Sequence, residues 1–511
     1  MVRALRGRRR RSCEPCARGW RRAASHPPED STVTERRDVP ATTTGDKPTE
    51  LERLVHWIDT RTALAGVVRG ALRKVFPDHW SFLLGEIALF CFVILVATGT
   101  FLTFFYVPSS AQVTYNGSYE PLHGSWVSAA FDSVMHLSFD VRAGLLMRQI
   151  HHWTALVFVA IVVLHLCRIF FTGAFRRPRE LNWIVGITLL VLVMGDGFVG
   201  YSLPDDLLSG TGARIAYSAV LSIPFIGPWV ASLVFGGEFP TMALIPRFFV
   251  LHVLFLPGLI IGLITLHLVL LVLHKHTQYR GGPAREDNVV GRHFWPVQVF
   301  LSTGLFFLTA ALVALIGGLF QVNPIWAYGP FNAAVVASPA QPDWYLGWLD
   351  GSLRIFPPFE PTIFGVTIPS PFIPGVVIPT ILFTVVALWP FLEQRFTHDD
   401  REHHLLDALW DHPVRSATGA AILALFGVLT LSGGNDVLAY YLSTEVETLT
   451  RVFRILALVM PVVVWVVTWR LCRARLGRDV LPGSHVRDLR RRRGGIALKR
   501  TPGGGFEEIE P

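Results

Sequence analysis

Residues 148–168, RQIHHWTALVFVAIVVLHLCR, and residues 247–270, RFFVLHVLFLPGLIIGLITLHLVL, each place histidines near both ends of an apolar stretch of membrane-spanning length. His151 and His165 are 14 residues apart, and His252 and His267 are 15 apart. At about 100° per residue these steps return to within roughly 40° and roughly 60° of their starting direction, so each pair lies on one helix face. Each pair also spans about 21 Å of helix axis, most of the ~30 Å hydrocarbon core. Two such helices side by side would present two facing histidine pairs, one near each leaflet. That is the ligand set for two bis-histidine haems, an arrangement that conducts electrons through a membrane.

A lone histidine in an apolar span is more often an interfacial or internally satisfied residue. Four at matched spacings on two spans have one common explanation, an iron held between facing imidazoles. The neighbouring His152 separates the candidates within its own helix. A 13-residue step to His165 turns about 220°, so His151 is the ligand and His152 points elsewhere. On the other span, Pro257 lies inside the 15-residue step, and a local widening of the helix there absorbs the extra residue.

The composition agrees with a protein housed in lipid: 51% of residues are hydrophobic and only 16% charged, against about 25% charged in soluble domains. Eight stretches are long and apolar enough to cross, about 82–106, 149–172, 182–203, 248–274, 297–320, 372–392, 416–433 and 451–471. The expected fold is an all-α integral membrane protein whose first four spans form a four-helix bundle around two b-type haems.

Basic residues set the expected orientation. Arg176, Arg177 and Arg179, then Lys275, Arg280, Arg285 and Arg292, then Arg470, Arg473, Arg475 and Arg478 follow alternate spans, whereas the other loops hold mainly Arg142, Arg214 and Arg354. Both termini are therefore expected on the cytoplasmic side. The net charge of +8 resides largely in the two tails, which lack the apolar content to fold alone. The chain divides into a basic, partly disordered N-terminal region (1–78), a haem-binding four-helix core (79–276), a second part with spans five to eight (277–475) and a basic cytoplasmic tail (476–511). A nucleic-acid role is not expected, since these basic runs suit an anionic inner leaflet. Cys13 and Cys16 form a CxxC that lacks the following histidine needed for covalent haem attachment.

Glycines repeat the ligand interval. Gly85 and Gly99 in the first span, and Gly186 and Gly200 in the third, are each 14 residues apart. Without side chains these faces let a flat macrocycle approach the backbone. Arg148 and Arg168 sit three residues outside the ligand pair of the second span, where haem propionates would emerge or where the side chains would snorkel to headgroups. The PDWY segment, Pro342, Asp343, Trp344 and Tyr345, offers a carboxylate for proton transfer beside two aromatic walls.

Together, RxxH and HxxR around thirteen residues, GYSLP at 200–204, RFFVLH followed by the second histidine, and PDWY resemble the cytochrome b of bc complexes, the quinol to cytochrome c oxidoreductases. The resemblance covers about residues 80–475 and is strongest to the actinobacterial, menaquinol-linked form. It implies an outer, low-potential haem on His151 and His252 and an inner, high-potential haem on His165 and His267. It also implies an outer quinol-oxidation pocket at Pro342–Tyr345, in which Asp343 and Tyr345 act on the substrate. A Rieske iron–sulfur protein, a c-type cytochrome subunit, a homodimeric complex and an aa3-type oxidase are the implied partners, in a bacterial plasma membrane. PDWY departs from the commoner PEWY by one methylene, which calls for a water or a second group to complete the proton route. The inner quinone site is weakly marked, with His274 and His276 as its candidates. The rival readings are the dihaem anchor of another quinone-linked enzyme and a proton-relaying transporter.

Overall fold

A computed structural model describes residues 49–62, 66, 68, 70, 72–335, 341–479, 496–500 and 506–508. Cys13, Cys16 and most of both tails lie outside them. Eight helices are long and apolar enough to cross a membrane: Trp80–Thr103, Gly144–Phe171, Glu180–Ser202, Leu244–His274, Phe294–Leu319, Ile373–Thr397, Pro413–Gly433 and Val446–Gly477. All eight expected spans are present, and several extend beyond their apolar stretches. The second starts at Gly144 because its polar first turns are buried against the segment after the fifth span. There Gln149 exchanges two hydrogen bonds with the Val322 backbone (3.0 and 2.8 Å), and Arg148 Nη2 donates to the Asn323 carbonyl at 3.0 Å.

The first and second spans pack together, as do the third and fourth, and the second also meets the third. The fifth lies against the first two, the sixth against the third, and the seventh against both the eighth and the short helix Gly347–Ile355. The fourth span is not uniform. A π-helical turn, Leu251–Phe255, precedes Pro257, and Leu256 N–H reaches back five residues to the Leu251 carbonyl. Proline brings no N–H to continue the regular ladder, and the wide turn takes up one residue between His252 and His267.

Short strands trim one end of the bundle. Val75–Pro77 pairs antiparallel with Asn288–His293, which also pairs with Ile496–Arg500, itself paired with Phe506–Glu508. Part of the tail that composition marked as unstructured thus gains a strand partner from the folded body. The helix Glu50–Thr62 belongs to a separate unit, with a Glu50–Arg53 pair one turn apart.

Beyond the sixth span, an ion cluster fastens spans six and seven and the connecting loop. Arg415 donates to Glu393 Oε2 at 2.8 Å and to Asp407 Oδ2 at 2.9 Å, and its side chain is 2% exposed. Burial works against the Asp407 charge, but His412, Arg176 and Arg415 hold its carboxyl well below the usual range. Arg415→Leu leaves the buried Glu393 carboxylate without its cation and is expected to cost about 3–5 kcal/mol, measured as lost thermal stability of the purified protein. Arg401→Ala, at an exposed pair with Asp399, is expected to leave that stability unchanged.

Candidate functional site

The four histidines meet in two pairs. The rings of His151 and His252 have centroids 6.1 Å apart and those of His165 and His267 6.5 Å apart, each pair bridging the second and fourth spans. A metal–nitrogen bond of about 2 Å on either side, plus roughly 1 Å from each nitrogen to its ring centre, puts two rings that share a metal roughly 6 Å apart. Both separations therefore suit one metal between two imidazoles.

Each ring rests against a glycine of the adjoining span. A Cβ placed on Gly99 would come within 3.1 Å of His151 Cε1, and one on Gly85 within 3.3 Å of His165 Cε1. On the other side of the bundle, a Cβ on Gly200 would fall inside contact distance of His252, while one on Gly186 would stand 3.9 Å from His267 Cε1. The repeated interval in the sequence thus reflects four glycine–imidazole contacts, with the first span serving the second and the third serving the fourth.

At one end of the bundle Asp343 accepts from His152 Nε2, 3.0 Å from each carboxylate oxygen, and from the Tyr345 hydroxyl at 3.3 Å. Tyr345 is buried, which together with the neighbouring Asp343 pushes its hydroxyl pKa well above the ordinary value. Trp344, Tyr345 and Trp348 line an apolar cavity of about 200 Å³ with Val163, Leu190 and Phe426. Asp206, which caps the helix Leu207–Leu221, is also buried at this end, and burial raises its carboxyl pKa to about 6.

At the opposite end, His276 stacks near Phe76, with centroids 4.7 Å apart. Burial, with the charges of Lys74, Arg179 and Arg168, lowers its imidazole to about 3 and keeps it neutral. Arg179 donates to the His274 and Lys275 carbonyls at 2.9 and 3.2 Å, so at His274 the backbone is engaged. The rings of His79 and Tyr279 pack on each other, with centroids 4.1 Å apart.

The model for cytochrome b (N-terminal)/b6/petB matches residues 156–330. The cytochrome bc1 complex cytochrome b subunit of Streptomyces coelicolor is 44% identical over 462 residues, covering 90% of this chain and 83% of its own. The subunits of the same name from Mycobacterium tuberculosis and Corynebacterium diphtheriae are 46% and 45% identical, over 90% and 88% of this chain and 82% of theirs. The chain belongs to the cytochrome b family. A solved chain titled hyperthermophilic respiratory Complex III shares the fold, with a TM-score of 0.60 at 22% identity over 81% of this chain and 98% of that one.

Family membership implies b-type haem, and the residues of this cytochrome b fit it. Among the described residues no three metal-ligating side chains cluster. A metal held by two imidazoles alone must bring its remaining ligands, as a porphyrin does. The glycines leave each ring room that a side chain would fill. Arg148 Nε and Arg168 Nε and Nη2 are buried donors without a hydrogen-bond partner among the described residues, suited to propionate carboxylates.

Two contacts escaped the sequence reading. His152 was separated from the ligand face but not joined to Asp343, 191 residues away. Asp196, whose Oδ1 lies 3.0 Å from His252 Nδ1, was not singled out. A charged residue one turn before Gly200, in an apolar span, was the available signal. The glycine spacings set a graded expectation. Gly186→Ala should leave the haem content of the purified protein unchanged, whereas Gly200→Ala, which crowds the His252 ring, should lower it or perturb its spectrum, as read by pyridine haemochrome quantification and low-temperature spectra.

Proposed function

We propose that this chain is the cytochrome b subunit of a respiratory bc-type complex, a quinol to cytochrome c reductase that oxidises menaquinol and contributes to the proton gradient. The observation that carries the proposal is the pair of facing imidazoles at two depths, each backed by a glycine of the adjoining span. The identity of 44–46% to bc1-complex subunits supports it. We assign the Asp343 end to the outer side and the His276 end to the cytoplasm, with both termini there. Arg176, Arg177, Lys275, Arg280, Arg285 and Arg292 gather at the latter end, as the positive-inside rule requires.

In this reading the chain's residues do four things. His151 with His252, and His165 with His267, would hold the outer and the inner haem, and Arg148 and Arg168 would pair with haem carboxylates. When bound, the haems supply one-electron carriers at two depths, so that one electron of each quinol crosses the membrane while a Rieske iron–sulfur partner takes the other. Quinol enters the apolar cavity, where Trp344 and Tyr345 orient its ring, and Asp343, hydrogen-bonded to the Tyr345 hydroxyl at the cavity wall, accepts a proton. The Asp343 side chain is one methylene shorter than the commoner glutamate, and His152 supplies the second group that anchors it for that transfer.

At the cytoplasmic end, the neutral His276 and the cations of Lys74 and Arg179 form the inner quinone site, where His274 contributes through its backbone. Cations beside a reduced quinone oxygen stabilise its charge until protons arrive. A c-type cytochrome subunit, a second copy of the complex and an aa3-type oxidase are the further partners assigned in this reading.

A reduced-minus-oxidised spectrum of the purified complex is expected to give two b-type haems per chain with separate midpoints. His165→Leu or His267→Leu is expected to remove one of the two chromophores; retention of both would end the proposal. Asp343→Asn should lower quinol oxidation by about 10²–10⁴-fold with haem content intact, measured as quinol-dependent cytochrome c reduction.

A further inference from the structure

The four ligand rings are alike in the sequence pattern but are held differently. His252 Nδ1 lies 3.0 Å from Asp196 Oδ1 and 3.1 Å from the Asp196 carbonyl. Both oxygens accept, so Nδ1 carries the proton and Nε2 is left bare for a metal. His151 Nδ1 lies 2.9 Å from Thr98 Oγ1, and the hydrogen of that hydroxyl is directed to the Ile94 carbonyl at 2.7 Å. Thr98 therefore accepts from His151 as well.

The other pair lacks such anchors. Nδ1 of His165 and Nδ1 of His267 are buried with no side-chain partner among the described residues. The uncharged backbone of Asn182 faces the His267 ring. One depth of the bundle thus has a carboxylate and a hydroxyl on its ligand rings, and the other has neither.

This asymmetry acts on the electron affinity of whatever metal the rings hold. A carboxylate that accepts an imidazole N–H makes the ring more basic and a stronger donor to the metal. Stronger donation favours the oxidised metal and lowers its potential. A fixed negative charge in a low-dielectric setting also favours the state with one more positive charge. Both effects point the same way.

We propose that Asp196 is a positioning residue that acts through His252, with Thr98 acting more weakly through His151, to set the lower of the two haem potentials. His165 and His267, with no side-chain partner at Nδ1 among the described residues, leave the inner haem higher. The gradient that draws an electron inward is then built from a carboxylate hydrogen-bonded to a histidine ring of one pair and to neither ring of the other. Asp196 lies one turn before Gly200, so the same stretch of the third span gives His252 both its space and its hydrogen bond. This inference rests on haem binding at the two histidine pairs.

The test is an optical redox titration of the intact complex. Asp196→Asn keeps the shape and removes the charge. It is expected to shift the reduction equilibrium of the lower-potential haem at least tenfold toward the reduced form, about 59 mV upward for one electron. Two haems per chain and the higher midpoint should be unchanged, and Asp196→Glu should return the lower midpoint part of the way. Thr98→Val is expected to move the same midpoint upward by less. Two haems with unmoved midpoints in Asp196→Asn overturn the proposal, as does a shift confined to the higher midpoint. If Asp196→Asn does not assemble, Thr98→Val decides alone, and an unmoved lower midpoint overturns the proposal. A wild-type complex without b-type haem sinks the reading of the histidine pairs instead.

Discussion

Everything in this bundle is arranged around imidazole rings placed in lipid, where a polar group without a partner is costly. Each ring pair spans the gap between the second and fourth spans at the distance one shared metal requires. Helices in a membrane gain little from burying apolar surface against each other, since lipid is equally apolar. Packing and polar contacts decide their placement instead. The four glycine–imidazole contacts are such packing. They fix how close the first span stands to the second and the third to the fourth.

The two depths are built alike and finished differently. At the Asp343 end, Thr98, Asp196, His152 and Tyr345 tie the ligand rings and the carboxylate into hydrogen bonds. At the His276 end, cations crowd a neutral imidazole, and the rings of His165 and His267 have no side-chain partner at Nδ1 among the described residues. A quinol-oxidising pocket needs a base and a low-potential acceptor beside it, whereas a quinone-reducing pocket needs positive charge and a source of protons. The polar groups at each end are distributed along these lines.

Much of the fold could be read from the chain because membrane crossing imposes a strong local rule of length and apolarity. The eight spans, the shared faces of His151 with His165 and His252 with His267, and the matched glycine intervals all follow from one helical period. Even the 15-residue step carried its own explanation in Pro257, and the structure has a π-helical turn immediately before it. The span boundaries were less legible. Gly144–Phe171 begins early because Arg148 and Gln149 pair with a loop nearly two hundred residues away, a contact that no local window contains.

By itself, the sequence determined which residues share a helix face and at what depth, since those depend only on spacing along a regular helix. The tertiary structure alone decided what each face meets: that Gly99 backs His151 and Gly200 backs His252, that His152 reaches Asp343, and that Asp196 holds the His252 ring while His165 and His267 have no such carboxylate among the described residues. Those partners lie on different helices. Their meeting depends on how the helices rotate and pack against one another, which the period of a single helix leaves open.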